Sequence, residues 1–166
     1  MRTVRVEPLT VESFLPFGFY ANMIDPQAEV IGARPIEFYR DMAQLDLGGA
    51  GSASFSICRV EPRDCVIDVT EFHTATGEGI LPLDNDVLIH VAPATPIDAD
   101  PPLDKFRVFR VPKGTLVALR PGVWHHAPIT PNDKPANVLI VLPERTYAND
   151  CEVVTLDDDD KIRIAL

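Results

Sequence analysis

Two short stretches carry the residue types of a catalytic or metal-binding centre. The first, TEFHTATGEGILPL, holds Glu71, His73 and Glu78. The second runs from Gly114 to His126, GTLVALRPGVWHH. There a Gly turn leads into the apolar run Thr115–Leu119, and Pro121-Gly122 then presents Trp124, His125 and His126. Imidazole is the commonest transition-metal ligand, and a carboxylate adds a hard oxygen. A mixed His/Glu set inside a barrel would hold a divalent ion with open positions for substrate. On a strand, positions i and i+2 share a face, so Glu71 and His73 can point the same way. Adjacent His125 and His126 point to opposite faces if extended, so one of them enters a cavity. Pro fixes φ and Gly tolerates positive φ, which lets this turn aim the side chains that follow it.

Each of these residues also has a plainer reading. Glu71 and Glu78 fit solvated strand positions, and a lone His is often satisfied by a backbone carbonyl. His90, in the apolar stretch VLIHVAPA, reads as a satisfied core histidine, and Trp124 as packing at a barrel mouth or as a pocket wall. Arg59 lies on the alternating stretch SASFSICRV. Facing inward it would pair with a substrate carboxylate; facing outward it would pair with a nearby Glu or Asp. Asp157–Asp160 reads as a solvated acidic turn.

The elements that must position these side chains are short strands. Arg2–Leu9, Phe19–Ile24, Ser52–Val60, Cys65–Phe72, Gly79–Leu83, Val87–Ala92, Phe106–Val111, Thr115–Leu119 and Val138–Leu142 all carry strand patterns. Cys151–Leu156 and Ile162–Ala165 suggest a closing strand pair, and Thr10 an N-cap for a short helix over Val11–Leu15. Glu29–Leu47 fits an edge strand or a helical turn equally well. Strands recurring about every ten residues, with 16 prolines marking the turns, predict an all-β barrel or sandwich. No linker or repeat divides residues 1–166, so one domain is expected.

Charge and cysteine usage narrow the partners. A net charge of −10 argues against nucleic acid or an anionic membrane surface. A small anionic substrate then needs a local cation to receive it. No apolar run reaches the length of a membrane helix, and MRTVRVEPL has no signal-peptide core. Cys58, Cys65 and Cys151 are odd in number and form no CxxC pair. A reducing compartment, the cytoplasm, is therefore expected, with the thiols as packing residues.

The segment Gly114…Pro121-Gly122-Val123-Trp124-His125 resembles the second motif of the cupins. The earlier stretch resembles their first motif, with Glu71 where a His usually lies and His73 and Glu78 at the following ligand positions. More closely, LTVESFLPFGFY, FYRDMA, SICRVEPR, TEFHTATGEGILPL, DVLIHVAP and RPGVWHHAP resemble the ureidoglycolate lyases. That resemblance implies a cupin-like, jelly-roll-type β-barrel with one or two short helices, and a homodimer. It implies cleavage of ureidoglycolate to glyoxylate and urea in allantoin and purine breakdown. His73, Glu78 and His125 would hold a divalent ion such as nickel, zinc or manganese, with no organic cofactor. Glu71 or His126 would move the proton, and Arg59 would bind the substrate carboxylate, although any of the carboxylates could be ligand or base. Another metal-dependent cupin enzyme of small keto or hydroxy acids, or a non-catalytic ligand-binding cupin, would share these features. The chain departs from the family at Arg40, at Ile31-Gly32, at Glu78, where several members have Gln, and at PERTYAND. Such changes would retune the substrate.

Overall fold

A computed structural model describes all 166 residues, and strands dominate it. Its first strand is β1 (Arg2–Pro8). Thr10 then caps α1 (Val11–Phe14): its hydroxyl accepts from the Ser13 amide, and the Ser13 hydroxyl accepts from the Thr10 amide. After β2 (Gly18–Asn22), the ambiguous stretch resolves into a hairpin of β3 (Val30–Ala33) and β4 (Ile36–Tyr39) that pairs with no other strand. The alternating SASFSICRV stretch becomes β5 (Ala53–Val60). Next come β6 (Val66–Ile67), β7 (Val69–Phe72), β8 (Glu78–Pro82) and β9 (Val87–Val91). The chain continues through β10 (Arg107–Val111), β11 (Thr115–Leu119) and β12 (Ala136–Pro143). It ends with α2 (Thr146–Asn149), β13 (Glu152–Thr155) and β14 (Ile162–Ala165).

One five-stranded sheet runs β2-β11-β8-β12-β5 and a second runs β6-β14-β1-β10-β9. Isolated bridges continue the second sheet, Ala92 to Trp124, Leu88 to Ile129 and Glu71 to His125, and β7 pairs onward with β13. The result is a nearly closed barrel. Between the sheets lies a core of Ile80, Val87, Ile89, Val91, Phe109, Val117, Leu119 and Val138, with Phe14 of α1 sealing one end. A second core, with Leu88, Val108, Trp124, Ile162 and Ile164, packs on the other face of β9 and β10. This double coverage explains why β9 is buried at every position and reads as an unbroken apolar run.

Two expectations change. Cys65–Phe72 is not one strand. The chain switches partners at Asp68, so β6 pairs with β14 and β7 with β13, and the Asp68 carbonyl accepts the Leu156 amide. The last two strands are not a pair either: β13 lies on β7, and β14 lies between β1 and β6. An amphiphilic pattern marks a strand but not its neighbour.

Candidate active site

His73 follows β7 directly, Glu78 begins β8, and His125 follows the Pro121-Gly122 turn. Three backbone contacts bring them into register. Glu71 and His125 exchange amide and carbonyl, at 2.6 and 2.8 Å, and the Gly122 amide donates to the His73 carbonyl at 2.6 Å. Gly122 has φ 79°. A Cβ there would meet that of Ala94 at 2.9 Å, so both backbone and space require glycine. Directly opposed residues of an antiparallel bridge share a face, and Glu71 and His125 therefore project together.

The imidazoles of His73 and His125 lie 5.1 Å apart between centroids, both nearly fully buried. Each ring is held through Nδ1 by a main-chain carbonyl, Asp150 O at 2.7 Å for His73 and Val123 O at 2.8 Å for His125. A carbonyl only accepts, so Nδ1 carries the proton in both rings. Both Nε2 atoms then face one oxygen, Glu78 Oε2, at 3.1 and 3.0 Å. Burial by itself would raise the Glu78 carboxyl. Attraction to His125, with hydrogen bonds from both rings, outweighs it and holds the group at about 2. Burial opposes the charge on His125 too, but Glu78 wins and its pKa is raised.

Two neutral imidazoles of this tautomer would aim lone pairs at a carboxylate oxygen. That arrangement requires positive charge between them, as protons or as a metal ion. The donor atoms of His73, Glu78 and His125 lie within 4.8 Å of one another. Nitrogen, nitrogen and oxygen donors, with each ring oriented by a carbonyl behind it, fit a divalent transition metal.

Glu71 lies at the edge of this cluster, half-buried, and its Oε2 accepts from Cys151 Sγ at 3.3 Å. His126 is half-buried and makes no hydrogen bond to the cluster, because the alternation that turns His125 inward turns it away. Its pKa is lowered, by burial first and then by the nearby Arg63 and His125, against the pull of Glu71. Arg59 is not in the site. Cys58 and Val60 turn toward the first core, so Arg59 points outward, to Glu61 at 2.8 Å and Asn137 at 3.5 Å. His90 sits in the wall of the second core, its ring 5.5 Å from that of Phe106. It is buried but not satisfied: Nε2 has no partner. Burial, then the positive potential of His126, His125 and Arg63, drives its pKa well below the ordinary value and keeps it neutral.

Sequence reasoning passed over Arg63 and Asp150, and read Cys151 as a packing thiol. Arg63 donates to the carbonyls of Ala127 and Pro128, just after His126. It is thereby a cation fixed beside the segment that carries the site. Asp150 accepts from the Thr74 amide and hydroxyl and the Ala75 amide at 2.6 to 2.8 Å, clamping the loop after His73. A cavity of 210 Å³ is lined by Ser56, Cys58, Ile140, Leu142 and Arg145 among others. Leu142 lies one residue beyond the Val141–Gly79 pair, beside Glu78.

A family model described as ureidoglycolate lyase matches residues 1–164. The ureidoglycolate lyase of Rhodobacter capsulatus is 33% identical over 128 residues, 75% of this chain and 77% of its own. That of Burkholderia mallei is 32% identical, covering 76% and 74% of the two chains, and that of Pseudomonas fluorescens 28% identical over 99% and 98%. Among solved structures, the dTDP sugar isomerase of Desulfovibrio desulfuricans superposes with a TM-score of 0.52 at 17% identity. The match covers 87% of this chain and 89% of that one. The likeness is one of fold, the cupin-like barrel.

Proposed function

As the chain belongs to the ureidoglycolate lyase family, we propose that it splits ureidoglycolate into glyoxylate and urea, in allantoin and purine breakdown, at the His73–Glu78–His125 centre. The observation that carries this reading is the convergence of two buried imidazole Nε2 atoms on one carboxylate oxygen. A divalent ion held there would polarise the hydroxyl and carboxylate oxygens of the substrate.

Cleavage requires the hydroxyl proton to leave, its electron pair to form the new carbonyl, and the carbon–nitrogen pair to depart with urea, which is then protonated. Glu71 is the base we assign for the hydroxyl proton: it is half-buried and shares its face with His125. His126, kept neutral near pH 7 by its lowered pKa, is the second group able to pass a proton. The carboxylate-binding role expected of Arg59 falls instead to Arg63, whose guanidinium is anchored beside His126. This local cation offsets the −10 charge of the whole chain.

The enzyme works as a single domain over residues 1–166 and as a homodimer. Support for the dimer is the outer face of the β2-β11-β8-β12-β5 sheet. Phe55, Val141, Gly79, Ala118 and Phe19 form one apolar row across it, and Ile57, Leu139, Leu81, Leu116 and Ala21 form the next; Leu45 of this chain covers Gly79 at the middle and leaves the outer positions open. Phe55 and Ile57, neighbours on β5, are 70% and 57% exposed, and adjoining exposed apolar side chains suit a contact with another chain. Three unpaired thiols accord with the cytoplasm, and no helix is long and apolar enough to cross a membrane.

The test is glyoxylate release from ureidoglycolate by metal-loaded protein. His73→Ala and His125→Ala are expected to lower turnover by about 10²-fold or more. Wild-type protein that releases no glyoxylate would refute the assignment.

A further inference from the structure

Three strand segments lie side by side at the centre, and the pairing between them places a sulfur donor beside Glu71 and His73, in a group that shares His73 with the His73–Glu78–His125 set. In β13 and β7, Val153 opposes Glu71 and Glu152 opposes Phe72. One step further along this register, Cys151 opposes His73. Opposed residues of an antiparallel pair share a face, so Cys151, His73, Glu71 and His125 all project to the same side. The contacts agree: donor atoms of Glu71, His73 and Cys151 lie within 4.8 Å of one another, and Cys151 Sγ is 3.3 Å from Glu71 Oε2.

The backbone that carries the thiol is held by its neighbour. Its neighbour Asp150 receives His73 Nδ1 on its carbonyl at 2.7 Å. The Asp150 carboxylate also holds the Thr74 amide and hydroxyl and the Ala75 amide. Asp150 is thus tied to the His73 loop by four hydrogen bonds, which fixes the backbone from which Cys151 projects beside the ring of His73.

We infer that Cys151 supplies a thiolate ligand to the ion held by His73, Glu78 and His125, and that the site therefore discriminates further against hard, oxygen-preferring ions such as manganese. This rests on the metal-centre reading above. When sulfur binds, the S–H bond breaks and the proton passes to Glu71 Oε2, the oxygen it already faces, and on to solvent, which returns Glu71 to the carboxylate its role as base requires; the sulfur electron pair forms the bond to the ion. A site of two imidazoles and carboxylate alone already binds zinc more tightly than manganese. A thiolate biases it toward softer metals, because soft sulfur donors discriminate against hard oxygen-preferring ions.

Full-length protein freed of metal by chelation and reloaded provides the test. With one equivalent of cobalt(II), wild type is expected to show visible ligand-field bands together with a sulfur-to-cobalt charge-transfer band in the near ultraviolet. Cys151→Ser should keep the visible bands and lose the charge-transfer band, and Cys58→Ser should keep both. The preference for zinc over manganese should fall roughly tenfold or more in Cys151→Ser, the scale on which changes around bound metals act. X-ray absorption of zinc-loaded wild type needs no variant: one sulfur scatterer is expected at about 2.3 Å beside nitrogen and oxygen at about 2.0–2.2 Å. Visible cobalt bands without a charge-transfer band, or zinc with nitrogen and oxygen neighbours only, would overturn the thiolate and leave the metal centre standing. Wild type that binds no cobalt at all would overturn both.

Discussion

The unsatisfied Nε2 of His90 makes a prediction opposite to that for an ordinary core histidine. Replacing a hydrogen-bonded histidine leaves its partner stranded, whereas His90 Nε2 has no partner to strand and already bears its desolvation cost. His90→Leu fills a similar volume against Phe106 without a polar atom. It is therefore expected to raise the free energy of unfolding by about 1 kcal/mol and to leave turnover unchanged. Urea denaturation beside the glyoxylate assay checks both, and a loss of stability above about 1 kcal/mol would mean that the ring has an unrecognised partner. At this scale the sequence was legible where chemistry and spacing coincide within one strand or turn: His73, Glu78 and His125 are brought together as their motifs imply. Arg59 failed because alternation sorts residues into two faces without saying which face is inward. In β5 the outward face, with Phe55 and Ile57, is as apolar as the inward one. Cys151 was illegible for another reason. It meets Glu71 across 80 residues of sequence, through a strand pairing that no local pattern encodes.

Among the elements, the link between α2, β13 and the His73 loop is the one whose strength depends on pH. Partial burial raises the Asp150 carboxyl, but hydrogen bonds from Thr74 and Ala75 outweigh it and hold the group below its ordinary value of 3.8. A carboxylate depressed in the folded state adds stability that is complete above the unfolded value and is lost as pH falls through the folded one. Asp150→Asn is thus expected to cost about 1 kcal/mol at neutral pH, the low end of the range because the carboxylate is partly solvated. The gap between wild type and variant should close below about pH 4. Denaturation midpoints across pH 3 to 7 read this out directly; a gap that persists at the acid end would assign the effect to shape instead of charge. Element identity was otherwise well encoded. Thr115–Leu119 matches β11 residue for residue because it is apolar enough to be covered on both sides, and the Thr10 cap is a local signal. The break at Asp68 and the separate partners of β13 and β14 are long-range facts, and they fell outside what the pattern could state.

For the whole molecule, the sheet face bearing Phe55 and Ile57 and the unsupported β3–β4 hairpin raise the same question of what covers them. Ile36 and Phe38 of the hairpin are 77% and 62% exposed, and an isolated two-stranded ribbon is marginal in water. The dimer proposed above would cover the sheet face, since a two-fold contact lets one apolar patch cover its own image. Phe55→Glu with Ile57→Lys should convert a dimer to a monomer in sedimentation velocity while leaving the melting profile of the barrel cooperative; a monomeric wild type would refute the pairing. The two carbonyls behind the imidazoles, Asp150 O and Val123 O, carry a different consequence. They belong to the main chain, and no side-chain substitution deletes a main-chain carbonyl. The orientation of the rings is inherited with the path of the backbone, so position 123 can drift in identity without re-aiming its nitrogen, whereas Asp150 is also held by the clamp of its carboxylate on Thr74 and Ala75. What lineages of this enzyme must preserve is the course of two loops, and an insertion beside either would do more harm than most replacements within it.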